Sequence, residues 1–170
     1  MNTLQQTSAL EASQKLFVKM VVSNWELQNQ RLSGWLAKMP EERLLEPVAE
    51  GKNRAVYLLG HLIAVNDGMI PLLGLGERLY PELDALFVKN ADRTFEEIPS
   101  VADLKTKWAH LNQTLAGYFA QVEPDEWFKK HNAVSEEDFA REPHRNKLNI
   151  LINRTNHEAY HLGQLIFLKA

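Results

Sequence analysis

Cysteine is absent from the 170 residues of this chain. Disulfide bonds, metal sites that use cysteine and a thiol nucleophile supplied by these residues are therefore excluded. If sulfur chemistry takes place in this protein, a small molecule has to supply the thiol.

An excess of charge of one sign is also missing, since 19 basic and 22 acidic side chains leave a net charge of −3. The sequence therefore does not indicate a basic surface for nucleic acid, and we expect no nucleic-acid partner. No apolar run of membrane-spanning length is apparent, and the first residues lack a basic start followed by an apolar segment. We therefore expect no membrane partner and a cytoplasmic location.

Alternation of apolar and polar residues with a period of two is absent as well, so no β-sheet is predicted. Apolar residues instead recur at helical spacing, and proline and glycine separate the helical segments. Short helices are expected at 40–45 and 83–87. The four long helical segments are residues 8–40, 53 to about 71, 100–124, and 144 to near the end of the chain.

Capping residues indicate where these long helices begin. Ser8 and Ser100 each start a pattern of the capping-box type, with an acidic residue three positions later. Asn53 is expected to cap the second helix, and Pro143 suits the first turn of the fourth. Four amphipathic helices predict an all-α four-helix bundle that forms one domain over residues 1–170.

The most specific motif lies in the fourth helix, where residues 157–161 are His-Glu-Ala-Tyr-His. Histidines four residues apart lie on one helix face, so His157 and His161 can reach the same metal ion. In zinc proteases this pattern uses the glutamate as general base, and a third ligand follows downstream. Residues 162–170 contain no His, Asp or Glu. A protease is therefore not favoured, and a third ligand must come from upstream.

The fourth helix has two adjacent faces with different chemistry. A polar stripe beside a core face either faces solvent or lines a polar cavity, where each buried polar group needs a partner. The predicted core face consists of Leu148, Leu151, Ile152, Thr155, Ala159, Leu162 and Ile166. The polar stripe consists of Asn146, Ile150, Asn153, His157, His161, Gln164 and Leu168.

His61 stands in a part of the second helix that is apolar almost all round. Such a helix is buried on several sides, and a histidine within it is either a core residue with one hydrogen bond or a ligand. Burial disfavours the charged form, so a neutral imidazole is expected. With His157 and His161 it would make a three-nitrogen metal site, which leaves coordination positions open as catalytic sites do. The other histidines are predicted to be solvated, and they are His110, His131 and His144.

These motifs and their order resemble the DinB/YfiT-like superfamily of metal-dependent enzymes. The matching segments are residues 51–53 (Gly-Lys-Asn), 60–62 (Gly-His-Leu) and 156–165, and the resemblance extends over essentially the whole chain. It implies a mirror variant of the up-and-down four-helix bundle, assembly as a homodimer, and a divalent metal held by the three histidines. Relatives with assigned chemistry include transferases and isomerases that use low-molecular-weight thiols such as bacillithiol or mycothiol.

Two classes of function remain open. The first is a hydrolase or thiol-dependent transferase that uses a divalent metal (zinc, nickel or iron) to activate water or a small thiol toward a small-molecule substrate. Glu158 is the nearest candidate for a catalytic base, but it points about 100° away from His157 around the helix, which favours a surface or interface position. The second class is a non-catalytic helical dimerisation module with a structural metal or none. Gln164, Asn153 and Tyr57 either line the pocket or provide ordinary structural polarity.

Overall fold

The structure is a computed structural model that describes the backbone of residues 3–169 and the side chains of residues 9–169. Within this part of the chain all regular structure is helical, as predicted, and extended pairing is limited to two isolated bridges, Pro47 with Arg54 and Lys130 with Asn146. The helices are α1 (Thr3–Lys38), α2 (Glu41–Leu44), α3 (Ala55–Asp67), α4 (Met69–Leu72), α5 (Leu83–Phe87), α6 (Val101–Phe119), a 3₁₀ turn (Glu126–Phe128), α7 (Glu136–Arg141) and α8 (Lys147–Leu165).

The four long helices α1, α3, α6 and α8 form the body of the all-α fold. Helix α1 packs on α6 and α8, and α3 packs on the same two helices. Ten of the 13 residues of α3 are buried, which agrees with its apolar character on all sides. His61 lies at the middle of this enclosed helix, where it can meet residues of α8.

Side-chain caps explain where two of the long helices begin. Helix α6 begins as predicted, since the Ser100 hydroxyl oxygen accepts a hydrogen bond from the Asp103 N–H at 3.1 Å. Helix α8 begins at Lys147, later than the predicted residue 144. The Asn146 Oδ1 atom accepts a hydrogen bond from the Asn149 N–H at 2.9 Å, and this cap sets the start of the helix.

Two other predicted helix starts differ from the structure. The predicted Asn53 cap is wrong, because the residue at the N-cap position of α3 is Arg54, whose side chain makes no capping hydrogen bond. The Arg54 N–H instead donates to the Asp92 carboxylate at 2.8 Å, a residue 38 positions away. Helix α1 extends upstream of Ser8, and any capping contact of the Ser8 side chain lies outside the described residues.

Buried ion pairs hold the connection between α4 and α6 against α3. Asp67 is fully buried and accepts hydrogen bonds from Arg78 Nε at 2.9 Å and from the N–H groups of Leu79 and Tyr80. Arg78 also pairs with Asp84, near the start of α5, at 2.6 Å. Because a buried charge is tolerated only when it is paired and hydrogen-bonded, this network fixes α5 beside α3.

The stretch Ala55–Leu72 has the length and composition of a membrane span, with a mean hydropathy of 1.3, so the prediction that no such run exists is wrong. However, 67% of this stretch is buried inside the fold, and Gly68 separates it into α3 and α4. Core helices pass the same test of length and composition. Burial against α5, α6 and α8 accounts for its apolar character.

Candidate metal centre

Three imidazole rings meet between α3 and α8. The Nε2 atom of His157 lies 3.3 Å from Nε2 of His61 and 3.0 Å from Nε2 of His161. One nitrogen from each ring lies within 4.8 Å of the other two, and all three side chains are partly buried. Nitrogen ligands placed tetrahedrally at about 2.0–2.1 Å from one ion are about 3.3 Å apart. The cluster therefore has the dimensions that a metal site requires.

The opposite ring nitrogens determine which atoms point inward. Nδ1 of His61 lies 2.8 Å from the backbone carbonyl oxygen of Phe87, and Nδ1 of His161 lies 2.8 Å from Oε1 of Gln164. Since these oxygens only accept hydrogen bonds, each Nδ1 carries the proton, and each Nε2 presents its lone pair to the centre. The Nε2 lone pairs of His61 and His161 both point toward the centre of the cluster, where a cation can accept them. The cluster is therefore suited to hold a metal ion.

The position of the Phe87 carbonyl depends on a glycine beside His61. A Cβ atom at Gly60 would lie 2.6 Å from the buried Phe87 ring, which is too close for any side chain. Glycine therefore allows α5 to approach α3 at this point. The close approach places the carbonyl at the C-terminal end of α5 within hydrogen-bond distance of His61.

Burial keeps the histidines of α8 in the neutral form that metal ligands need. Burial is the main reason that the pKa of His157 is lowered to about 4, and the nearby His161, His61 and Arg154 lower it further. The pKa of His161 is also lowered by burial and His61, while its hydrogen bond to Gln164 opposes that effect. Protons therefore compete weakly with a metal ion for these two rings at neutral pH.

Helix α8 is turned about its axis relative to the predicted core face. Ile166, predicted to be in the core, is 59% exposed. The mean direction of the buried residues is displaced by about 40° around the helix axis, toward the side that carries His161. The buried residues of α8 are Leu148, Leu151, Thr155, Glu158 and Leu165.

Glu158 consequently lies in the core, and its predicted surface or interface position is wrong. The side chain is 0% exposed, and neither carboxylate oxygen has a hydrogen-bond partner among the described residues. Burial raises the pKa of Glu158 to about 8, although the neighbouring Asn66 amide opposes the shift. Its carboxyl group is therefore mainly protonated at neutral pH, and its role as a catalytic base stays a prediction.

The other predicted pocket residues divide between the cluster and the surface. Gln164 contacts His161 as described, and the Tyr57 ring stacks near His61 with a centroid separation of 6.4 Å and an interplanar angle of 10°. The Tyr57 hydroxyl donates to the Asn90 carbonyl oxygen at 2.7 Å and so takes part in holding the connection to α3. Asn153 is exposed and lies outside the cluster.

The histidines outside the cluster were all predicted to be solvated. His110 and His144 are exposed, as predicted. The prediction is wrong for His131, which is only 8% exposed and accepts a hydrogen bond from the Ala133 N–H at 3.2 Å. Burial, followed by the charges of Arg145 and Lys130, lowers the pKa of His131, so this ring also favours its neutral form.

Two contributors to the site were missed in the sequence. Phe87 acts through its backbone carbonyl, so its side chain carries no signal for this role. Arg154 precedes His157 by three residues, and its position on the helix face of the histidines could have been found from that spacing.

Comparison with known proteins gives one family. A family model described as the DinB superfamily matches residues 24–165. The matched region includes all three histidines and extends to the end of α8. No curated protein matches the chain.

Proposed function

This chain belongs to the DinB superfamily, and we propose that it is a metal-dependent enzyme whose divalent metal is held by His61, His157 and His161. The observation that carries the proposal is the meeting of three Nε2 atoms, two of which have their lone pairs directed inward by hydrogen bonds at Nδ1. Three protein ligands leave coordination positions free, as in catalytic metal sites.

The chemistry of the ligands limits the choice of metal. Three neutral imidazoles suit zinc, nickel or iron, whereas magnesium and calcium prefer oxygen ligands. When bound, such an ion lowers the pKa of a water or thiol that it coordinates and so provides a nucleophile near neutral pH. Phe87 and Gln164 orient the rings of His61 and His161, and burial favours the neutral form of His157 and His161.

Space for a small substrate lies beside Gln164, the hydrogen-bond partner of His161. A cavity of about 280 Å³ is lined there by Gln164, Phe167 and residues that include the Gly51-Lys52-Asn53 segment. Its size suits a small molecule. We propose that such a substrate is attacked by water or by a low-molecular-weight thiol, since the chain has no cysteine to supply sulfur. The reaction class is accordingly a hydrolase or a thiol-dependent transferase.

Metal analysis of the protein without a histidine tag tests the proposal. We expect about one divalent metal per chain in the wild type, and its loss in His61→Ala and in His157→Ala. His110→Ala is the matched control, because His110 is exposed and lies outside the cluster. Absence of metal from the wild type after growth and dialysis with zinc, nickel or iron would overturn the proposal, as would full occupancy in both cluster variants.

Removal of the metal separates an enzyme from a structural metal site. A catalytic ion can be withdrawn by a chelator with a modest loss of stability, whereas a structural ion holds the fold together. We expect the chelated protein to keep its helical circular dichroism spectrum and to unfold cooperatively. Unfolding on chelation would instead favour the non-catalytic alternative, a helical dimerisation module with a structural metal.

Exposed apolar side chains support assembly as a homodimer under either function. Leu16, Phe17 and Met20 on α1 are 47–60% exposed, and Phe167 near the end of α8 is 74% exposed. Apolar surface of this kind is often covered in an oligomer. We propose that α1 contributes to the interface, so Phe17→Asp should shift the mass measured by light scattering from dimer toward monomer. An unchanged mass would exclude Phe17 from the interface.

A further inference from the structure

Arg154 is an arginine without a counter-ion beside the histidine cluster. It makes no hydrogen bond or ion pair within the described residues, although most other arginines near the core do so. Glu158, one helical turn further along α8, is also not paired with it. A partly buried guanidinium without a partner is costly, because burial removes water without supplying an acceptor.

Helix geometry places Arg154 on the same face as the α8 histidines. Seven residues separate it from His161, which brings the two within about 20° around the helix axis, and His157 lies about 60° away. The charge of Arg154 also reaches His157, since it contributes to the low pKa of that ring. Arg154 therefore lies about one helical turn before His157, on the face of α8 that carries both histidines.

The guanidinium remains accessible to a ligand. Among the described residues, Nε is the one nitrogen of this guanidinium that is both enclosed and without a partner, so the two terminal nitrogens keep access to solvent. The planar fork of arginine matches two oxygens of a carboxylate or phosphate group and binds them in a bidentate manner. With a divalent metal on the histidines, the site would carry two adjacent cationic groups and no paired carboxylate.

We infer that the substrate of this site carries an oxyanion group, of the carboxylate or phosphate type, which pairs with Arg154 while the reacting part of the molecule faces the three histidines. The inference rests on the proposed function, since it assigns the charge of the substrate for that same site. Arg154 is a specificity-determining residue in this arrangement. Its guanidinium gains the acceptors that the fold itself does not provide.

Calorimetric titration with acetate and with inorganic phosphate tests the inference on metal-loaded and on metal-free protein. We expect at least one of the two anions to bind the wild type, and Arg154→Gln to weaken that binding by tenfold or more without changing metal content. Arg31→Gln is the matched control, because Arg31 is an exposed arginine of α1 outside the site. Arg154→Lys keeps the charge without the fork and should give an intermediate loss. It also replaces Arg154→Gln if that variant fails to fold.

The outcomes separate the two proposals. If neither anion binds the wild type, or if the Arg154 variants bind as tightly as the wild type, the inference is overturned whether or not metal is present. If the wild type holds no metal but loses anion binding on Arg154 substitution, the oxyanion site stands and the metal proposal fails. An equal loss in Arg31→Gln would mean that general surface charge, and not Arg154, attracts the anion.

Discussion

Replacing Glu158 by glutamine is expected to stabilise the metal-free protein at high pH. The carboxyl group is fully buried, and its pKa is raised by burial from an ordinary value of 4.5 to about 8. The folded chain therefore binds a proton that the unfolded chain has already lost between these pH values. Stability from this group is fully present below pH 4.5 and is lost as the pH rises through 8.

The size of the effect follows from the two pKa values. The gap between 4.5 and about 8, at about 1.4 kcal/mol per pH unit, sets an upper limit of about 5 kcal/mol. Glutamine has a similar shape and no charge, and its amide can pair with Asn66, whose own amide lacks a partner among the described residues. We expect Glu158→Gln to be within about 1 kcal/mol of the wild type at pH 5, and about 3 kcal/mol more stable at pH 8.

Urea unfolding followed by circular dichroism, with a chelator present, measures this difference. Glu96→Gln is the control, because Glu96 is exposed and its substitution should leave the free energy of unfolding unchanged at both pH values. His157 acts in the opposite direction: its lowered pKa of about 4 destabilises the folded state as the pH falls below 6.5. That loss occurs equally in both proteins and cancels in their difference. A stability difference that is the same at pH 5 and pH 8 would refute the reasoning.

Two further substitutions test the support of the site. Gly60→Ala places a Cβ atom 2.6 Å from the Phe87 ring, and we expect a loss of about 1–3 kcal/mol and weaker metal binding. Gly163→Ala, where nothing lies within 4 Å of the added atom, should instead raise the melting temperature slightly. Unchanged metal affinity in Gly60→Ala would contradict the role of the Phe87 carbonyl. Arg78→Met leaves the buried Asp67 without its ion-pair partner. Urea unfolding should therefore show a loss of about 3–5 kcal/mol in the free energy of unfolding. A loss below about 1 kcal/mol would show that this ion pair is not important for stability.

The helices and the meeting of the histidines could be predicted because both depend on local spacing. A four-residue interval places His157 and His161 on one helix face, whatever surrounds the helix. His61 stood out as the imidazole within an apolar helix, and such a helix has to lie at the centre of the fold. The pairing of α3 with α8 could therefore be inferred, because both helices carry histidines that are expected to face the interior of the fold.

Features that depend on long-range contacts could not be predicted in this way. The Arg54 N–H at the start of α3 donates to Asp92, 38 residues further along the chain, and no local pattern indicates that pairing. The rotation of α8 was also missed, because periodicity alone defines the core direction only coarsely. An error of about 40° around the helix was enough to misplace Glu158 from the core to the surface.

The two halves of the histidine cluster therefore depend on the fold in different ways. His157 and His161 belong to one helix, and the Gln164 contact that orients His161 is only three residues away. His61 is oriented by Phe87, whose position depends on the close approach at Gly60 and on ion pairs that hold the connection to α3. Loosening that connection should disturb the His61 ligand first, while the α8 pair keeps its geometry. Metal affinity is thus expected to report on the packing of α5 against α3, even though α5 supplies no side-chain ligand.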